Sequence, residues 1–218
     1  MSENKEKRVP KSDVKFSISL SDEQKVAKEQ ILKHPYSFVL GEAGSGKTLL
    51  SIQIALDRYF KREINKIIIS RPTVANENNG FLPGTIKEKM QPWLVPIVDN
   101  LKKVYNKNVV IDKMLEEDSI EIVSLSHFRG RTFDNAVCIL DECQNLTSEQ
   151  TAMCLGRLGK ESQMIFCGDM KQVDLRNLYD SGLSRLNKLK ESSYVYIVEL
   201  QENHRHPALK EVLGLYYS

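Results

Sequence analysis

Short apolar runs return along the chain at residues 36–40, 66–70, 120–124, 136–140, 163–167 and 194–199. Runs of this length, bounded by polar or turn-forming residues, predict strands buried on both faces. The longer, mixed stretches between them predict helices over 148–158, 182–189 and 208–217, with a short one over 111–117. A long helix is predicted over 85–105, interrupted by Pro92 and Pro96 because proline removes a backbone donor and crowds the preceding turn. Residues 16–20 read as a short extended segment. Ser21 and Gln24 then have the spacing of a capping box for a helix running toward Pro35. Apolar strands alternating with helices predict an α/β fold, a mostly parallel sheet with helices on both faces. No repeat or linker divides the chain, so residues 16–218 read as one domain behind a mobile polar tail, residues 1–15.

Composition narrows this picture only a little. The 218 residues suffice for one well-cored domain, and 41% apolar with 28% charged residues excludes wholesale disorder. The net charge is +2, from 31 Lys and Arg against 29 Asp and Glu, too balanced to announce a nucleic-acid binder by itself. No apolar run reaches membrane-spanning length and no signal-peptide pattern opens the chain. Cys138, Cys143, Cys154 and Cys167 lack metal-type spacing and read as small core residues of a cytoplasmic protein.

The stretch after the first strand changes the picture. Gly41, Glu42, Ala43, Gly44, Ser45, Gly46, Lys47 and Thr48 fit G-x-x-x-x-G-K-[ST] without substitution, and Leu49 leads into a mostly apolar helix through Tyr59. Strand, glycine-rich turn and helix N-terminus together make a phosphate cradle. Lys47 would supply charge to the β- and γ-phosphates, and the Thr48 hydroxyl would ligate Mg²⁺. The strand at 136–140 ends in Asp141 and Glu142, on the sheet edge that carries the P-loop. Asp141 would hold Mg²⁺, directly or through water, and Glu142 would orient or deprotonate an attacking water. The second acid argues for a hydrolase over a small-molecule kinase. Gly168 and Asp169 form a common turn dipeptide, after which the Gln172 amide could reach the γ-phosphate. Arg205 lies in a loop before the last predicted helix, as a γ-phosphate arginine or a surface charge.

In this order, Gln24, the P-loop, Asp141-Glu142-Cys143-Gln144, Gly168-Asp169-Met170-Lys171-Gln172 and Asn203-His204-Arg205 resemble the first motor domain of superfamily 1 helicases. The chain more closely resembles the PhoH-like family of P-loop ATPases. That likeness is carried by Ser70-Arg71-Pro72, Gly80-Phe81-Leu82-Pro83-Gly84, Phe128-Arg129-Gly130-Arg131-Thr132 and Arg205-His206-Pro207. It implies a RecA-like fold, with ATP and Mg²⁺ as ligands. Gln24 would contact adenine, Glu142 would be the base, Gln172 a γ-phosphate sensor and Arg205 an arginine finger. Three features depart from the family pattern: Cys143 in place of alanine, a shortened loop over 73–79, and Arg176 where proline is common.

The resemblance also implies partners. RNA or single-stranded DNA is the expected substrate class, with Arg71, Lys87, Lys89, Arg129 and Arg131 as candidate contacts beside Phe81 and Trp93. A solvated helix face with Trp93 in the core is the plainer reading of the same residues. The chain has length for only one motor domain, so a homo-oligomer, a hexameric ring by preference, is expected to complete each site. The alternative function is a nucleotide-dependent switch or interaction module without motor activity.

Overall fold

The computed structural model describes residues 14–72, 86–175, 177–208, 211–212 and 215, with backbone only for 86–93 and Leu178. Six strands, β1 (Tyr36–Gly41), β2 (Lys66–Ser70), β3 (Ile120–Ile122), β4 (Ala136–Leu140), β5 (Gln163–Gly168) and β6 (Val195–Leu200), form one sheet. Their order is β3-β2-β4-β5-β1-β6, and every pair is parallel. Parallel strands require crossovers, and these place helices on both faces. The side-chain period of two divides the core accordingly. Val39, Ile67, Ile69, Val137, Ile139 and Ile165 face α1 (Asp22–Ile31), α2 (Lys47–Phe60), α3 (Ile86–Val104) and α4 (Asn108–Glu116). Phe38, Leu40, Ile68, Cys138, Leu140 and Phe166 face the other way, against Phe128, Phe133, α5 (Ser148–Leu155) and α6 (Leu186–Leu189). Phe38 and Phe166 stack there at 4.5 Å between ring centres.

Helix α2 is buried nearly all round: Leu50, Ile52, Ile54 and Leu56 have no exposed surface. It runs beneath the sheet behind the P-loop, so the phosphate cradle rests on the most buried helix described. Helix α1 begins with the predicted capping box. Ser21 Oγ accepts from the Gln24 N–H, and Gln24 Oε1 accepts from the Ser21 N–H.

Five predicted boundaries are corrected, the first being α4, which begins at Asn108 and not at Ile111. Helix α3 runs unbroken through Pro92 and Pro96. Loss of one donor weakens a helix locally without ending it, and buried Ile97, Leu101 and Val104 tie the following turns to the core. Strand β3 stops at Ile122, because its neighbour among the described strands, β2, ends one residue after the Ile69–Ile122 pairing. Residues 182–189 are a 3₁₀ turn, Gly182–Arg185, followed by one α-helical turn. The Ser181 hydroxyl accepts from the Leu183 N–H, and Gly182 sits so close to Thr151 that a Cβ would not fit. Helix α5 ends at Leu155, short of the predicted Leu158.

Within the predicted final helix, Ala208, Glu211, Val212 and Leu215 are helical. The tail up to residue 13, the 73–79 loop, the Phe81-Leu82-Pro83-Gly84 segment and Arg176 lie outside the described residues. Among those described, no helix is long and apolar enough to cross a membrane.

Candidate nucleotide site

The P-loop spans the gap between the carboxyl end of β1 and the N-terminus of α2. Gly44 (φ 97°) and Gly46 (φ 82°) hold left-handed angles that favour glycine. Space demands glycine as well: a Cβ on Gly46 would lie 2.5 Å from Gln24 Nε2, and one on Gly44 2.6 Å from Arg205 Cγ. Gly46 caps α2 without a side-chain bond, so the first-turn N–H groups have no side-chain cap and suit an anion.

Lys47 Nζ donates to the Gly41 and Glu42 carbonyls at 2.6 and 2.9 Å. Thr48 Oγ1 donates to Asp141 Oδ1 at 2.7 Å, joining the helix start to the end of β4. Burial pushes the Asp141 carboxyl above its usual range, the Thr48 hydrogen bond opposes this, and the Glu142 charge adds to it. A buried carboxylate beside a hydroxyl is a hard oxygen donor pair, and it fits Mg²⁺. Among the described residues no three His, Cys, Asp or Glu side chains gather as a metal cage.

Glu142 follows in a left-handed conformation, φ 54°. Its Oε1 accepts from Arg71 Nη2 at 3.2 Å and its Oε2 from Gln144 Nε2 at 2.7 Å. Gln144 is itself buried, and it also donates to the Gln172 carbonyl at 3.1 Å and accepts from the Asp169 N–H at 3.1 Å. The sequence reading gave Gln144 no role and took Asp169 for a turn residue. In the structure Asp169 is buried and fastens the end of β5 to the P-loop. Its Oδ2 accepts from the Ala43 N–H at 3.0 Å and its Oδ1 from the Lys171 N–H at 2.9 Å. The usable signal was an acid directly after an apolar strand, on the P-loop's own sheet edge.

Gln24 joins its cap to the site: Nε2 donates to the Ser45 carbonyl at 3.0 Å and meets His204 Nε2 at 3.3 Å. The loop after β6 closes over the cradle. Asn203 Nδ2 donates to the Ala43 carbonyl at 3.3 Å and the His204 N–H to the Gly44 carbonyl at 3.0 Å. Asn203 and His204 were also missed as site residues. Together these elements enclose a cavity of about 580 Å³ lined by Gln24, Lys47, Thr48, Asp141, Glu142, Gln172 and Arg205. Leu49 borders it, as do Asn100 and Lys103 from α3.

The basic candidates do not gather there. Arg71 meets Glu142 from outside the cavity lining, and Arg129 is exposed after the 3₁₀ turn Leu125–Phe128. Arg131 pairs with Glu121 at 3.0 Å, where Lys66 also pairs, and its guanidinium lies 4.8 Å from the centre of the Phe133 ring. The side chains of Lys87, Lys89 and Trp93 lie outside the described residues. All four cysteines are buried free thiols, and burial pushes Cys154 up to about 12.

A family model described as "PhoH-like protein" matches residues 18–217. The chain belongs to the PhoH-like protein family. It is 41% identical over 183 residues to the PhoH-like protein of Bacillus subtilis (strain 168), covering 82% of this chain and 57% of that relative. With Protein PhoH of Escherichia coli (strain K12) it shares 41% identity over 164 residues, 74% of this chain and 46% of the relative. This PhoH-like chain thus spans about half the length of the curated relatives it matches. Two solved structures share its fold. The large terminase of the thermophilic bacteriophage D6E gives a TM-score of 0.55 at 11% identity, covering 92% of this chain and 51% of that one. The Sulfolobus solfataricus SWI2/SNF2 ATPase core in complex with dsDNA gives 0.50 at 16%, covering 84% and 45%. Family and sheet together make this PhoH-like chain a RecA-like P-loop NTPase.

Proposed function

We propose that the protein binds ATP with Mg²⁺ and hydrolyses it, and that it does so while acting on RNA or single-stranded DNA. The observation that carries the ATPase reading is the Thr48–Asp141 contact at 2.7 Å, with Lys47 and Glu142 lining the same cavity. Mg²⁺, held by Thr48 and Asp141, would neutralise charge on the phosphates. Lys47 would turn from its two carbonyls to the β- and γ-phosphates, and Glu142 would take the proton of an attacking water. Gln172 and Arg205 line the same cavity and would read the γ-phosphate. Gln24 keeps a lone pair on Oε1 once Ser21 has used the other, and this acceptor suits the amino group of adenine better than the carbonyl of guanine.

We take residues 16–218 as one PhoH-like unit, working in the cytoplasm, where four reduced cysteines are stable. Its assembly would be a ring of identical subunits, a hexamer by preference. Arg205 lines its own chain's cavity, so the geometry supports an arginine acting in cis, with neighbours covering the open side. A nucleotide switch with slow turnover is the second reading, favoured by the grip of Arg71 and Gln144 on Glu142. Phosphate release measured with and without RNA and DNA oligomers separates the two: strong stimulation supports the strand-acting ATPase, and indifference supports the switch. Light scattering tests the ring. Mixed Lys47→Ala and Arg205→Ala subunits are expected to stay inactive if Arg205 acts in cis, whereas recovered activity would place it in trans.

A further inference from the structure

Glu142 faces two ways. One side lines the nucleotide cavity, and the other meets Arg71, which is not part of that lining. The chain builds this contact deliberately. β2 and β4 are paired in register to Ser70–Leu140, and the Asp141 N–H donates to the Ser70 carbonyl at 2.8 Å, so the two strand ends leave side by side. Pro72, buried, restricts Arg71 to an extended backbone. Glu142 meanwhile holds a left-handed φ of 54°, a strained conformation for a side chain with a Cβ that persists only where neighbours fix it. Both carboxylate oxygens are engaged by protein donors: Oε1 by Arg71 and Oε2 by Gln144. For Glu142 to swing toward a water in the cavity, one of these bonds must open. Gln144 is buried and bound at both ends of its amide, so it is the fixed partner. Arg71, with 37% of its side chain exposed, is the one that can leave.

We propose that Arg71 is a positioning residue that restrains Glu142, and that a backbone phosphate of a single strand relieves the restraint by taking the guanidinium. The inference rests on the ATPase reading above and adds its regulation. ATP reaches Glu142 from the cavity, so its phosphates approach from the other side of the carboxylate. The anion that draws Arg71 off has to come from outside. A guanidinium offers paired donors that match a phosphate, and a polyanionic strand presents many of them at once. Strand occupancy then sets the hydrolysis rate without touching the nucleotide.

The test is steady-state ATP hydrolysis by Arg71→Ala and Arg71→Gln, with and without oligouridylate or oligothymidylate. Both substitutions should raise basal kcat roughly two- to fivefold, the factor set by a half-exposed ion pair, with KM for ATP unchanged. Both should also lose strand stimulation, and Arg71→Lys should keep a low basal rate and part of the stimulation. In a Glu142→Gln background, Arg71→Ala should change nothing, because the two act as one unit. Basal kcat at or below wild type in both variants would overturn the restraint. Raised basal kcat with wild-type stimulation, or a wild type indifferent to strands, would overturn strand phosphate as its release. Failure of the underlying ATPase reading looks different: Glu142→Gln would turn over like wild type whatever stands at position 71.

Discussion

Two glutamates of this sheet are gripped by arginine, and the grips differ in kind. Glu121, on edge strand β3, holds both Arg131 and Lys66, and Arg131 lies against the Phe133 ring. Its two cation partners come from separate stretches of the chain, and neither lines the nucleotide cavity. Glu142, at the end of β4, holds one arginine and one amide, sits at a left-handed backbone angle and lines the cavity. The first cluster is closed on itself and stabilises an edge. The second leaves one side of the carboxylate toward a ligand site. Both carboxylates carry a donor on each oxygen, so place separates them: one closes a sheet edge, and the other borders the cavity.

Substitutions at the cavity should have the largest effects. Lys47→Ala should weaken ATP binding roughly 10- to 100-fold, the worth of a charge-assisted contact to phosphate, and fluorescent-nucleotide titration measures it. The fold should survive, since the Lys47 ammonium donates to P-loop carbonyls and its backbone bonds are kept on substitution. Gly46→Ala comes next. It combines a positive φ with a 2.5 Å clash against the Gln24 amide, so a loss of about 1–3 kcal/mol is expected, read as weaker nucleotide affinity together with a lower melting temperature.

Sequence reasoning reached these two residues for a reason. Phosphate cradles need glycines and a lysine in one local stretch, and a local pattern is readable. β2 and β4 were placed to the residue because a continuous apolar run bounded by polar residues leaves little choice. Asp169 and Gln144 escaped because their partners lie 126 and 25 residues away, and no local pattern separates a fastening carboxylate from a turn residue. Arg131 was grouped with Arg129 as a strand contact on the strength of a shared motif. Glu121, Lys66 and Phe133, which hold it, become neighbours only in the folded sheet.

The structural grip yields the next effect. Burial would raise the Glu121 carboxyl, but hydrogen bonds and charge from Lys66 and Arg131 outweigh it and leave it below its ordinary 4.5. A carboxylate whose folded value is lowered contributes stability above the unfolded value and loses it as pH falls through the folded one. Glu121→Gln should therefore cost about 1 kcal/mol at neutral pH. The cost should shrink as pH drops below 4.5, when measured by urea unfolding, while ATP turnover is unaffected. The smallest effect belongs to Arg129. Exposed and away from the cavity lining, Arg129→Ala should leave stability and basal hydrolysis alone and lower the salt slope of strand binding by about one. Arg131→Ala should do the reverse, losing stability first.

If Glu142 is the base of the proposed ATPase, phosphate release at saturating Mg-ATP by wild type and Glu142→Gln must separate the two proteins. The variant should bind ATP as wild type does and hydrolyse it about 10²-fold more slowly or worse, as loss of a general base requires. Equal turnover by the two proteins would contradict that role.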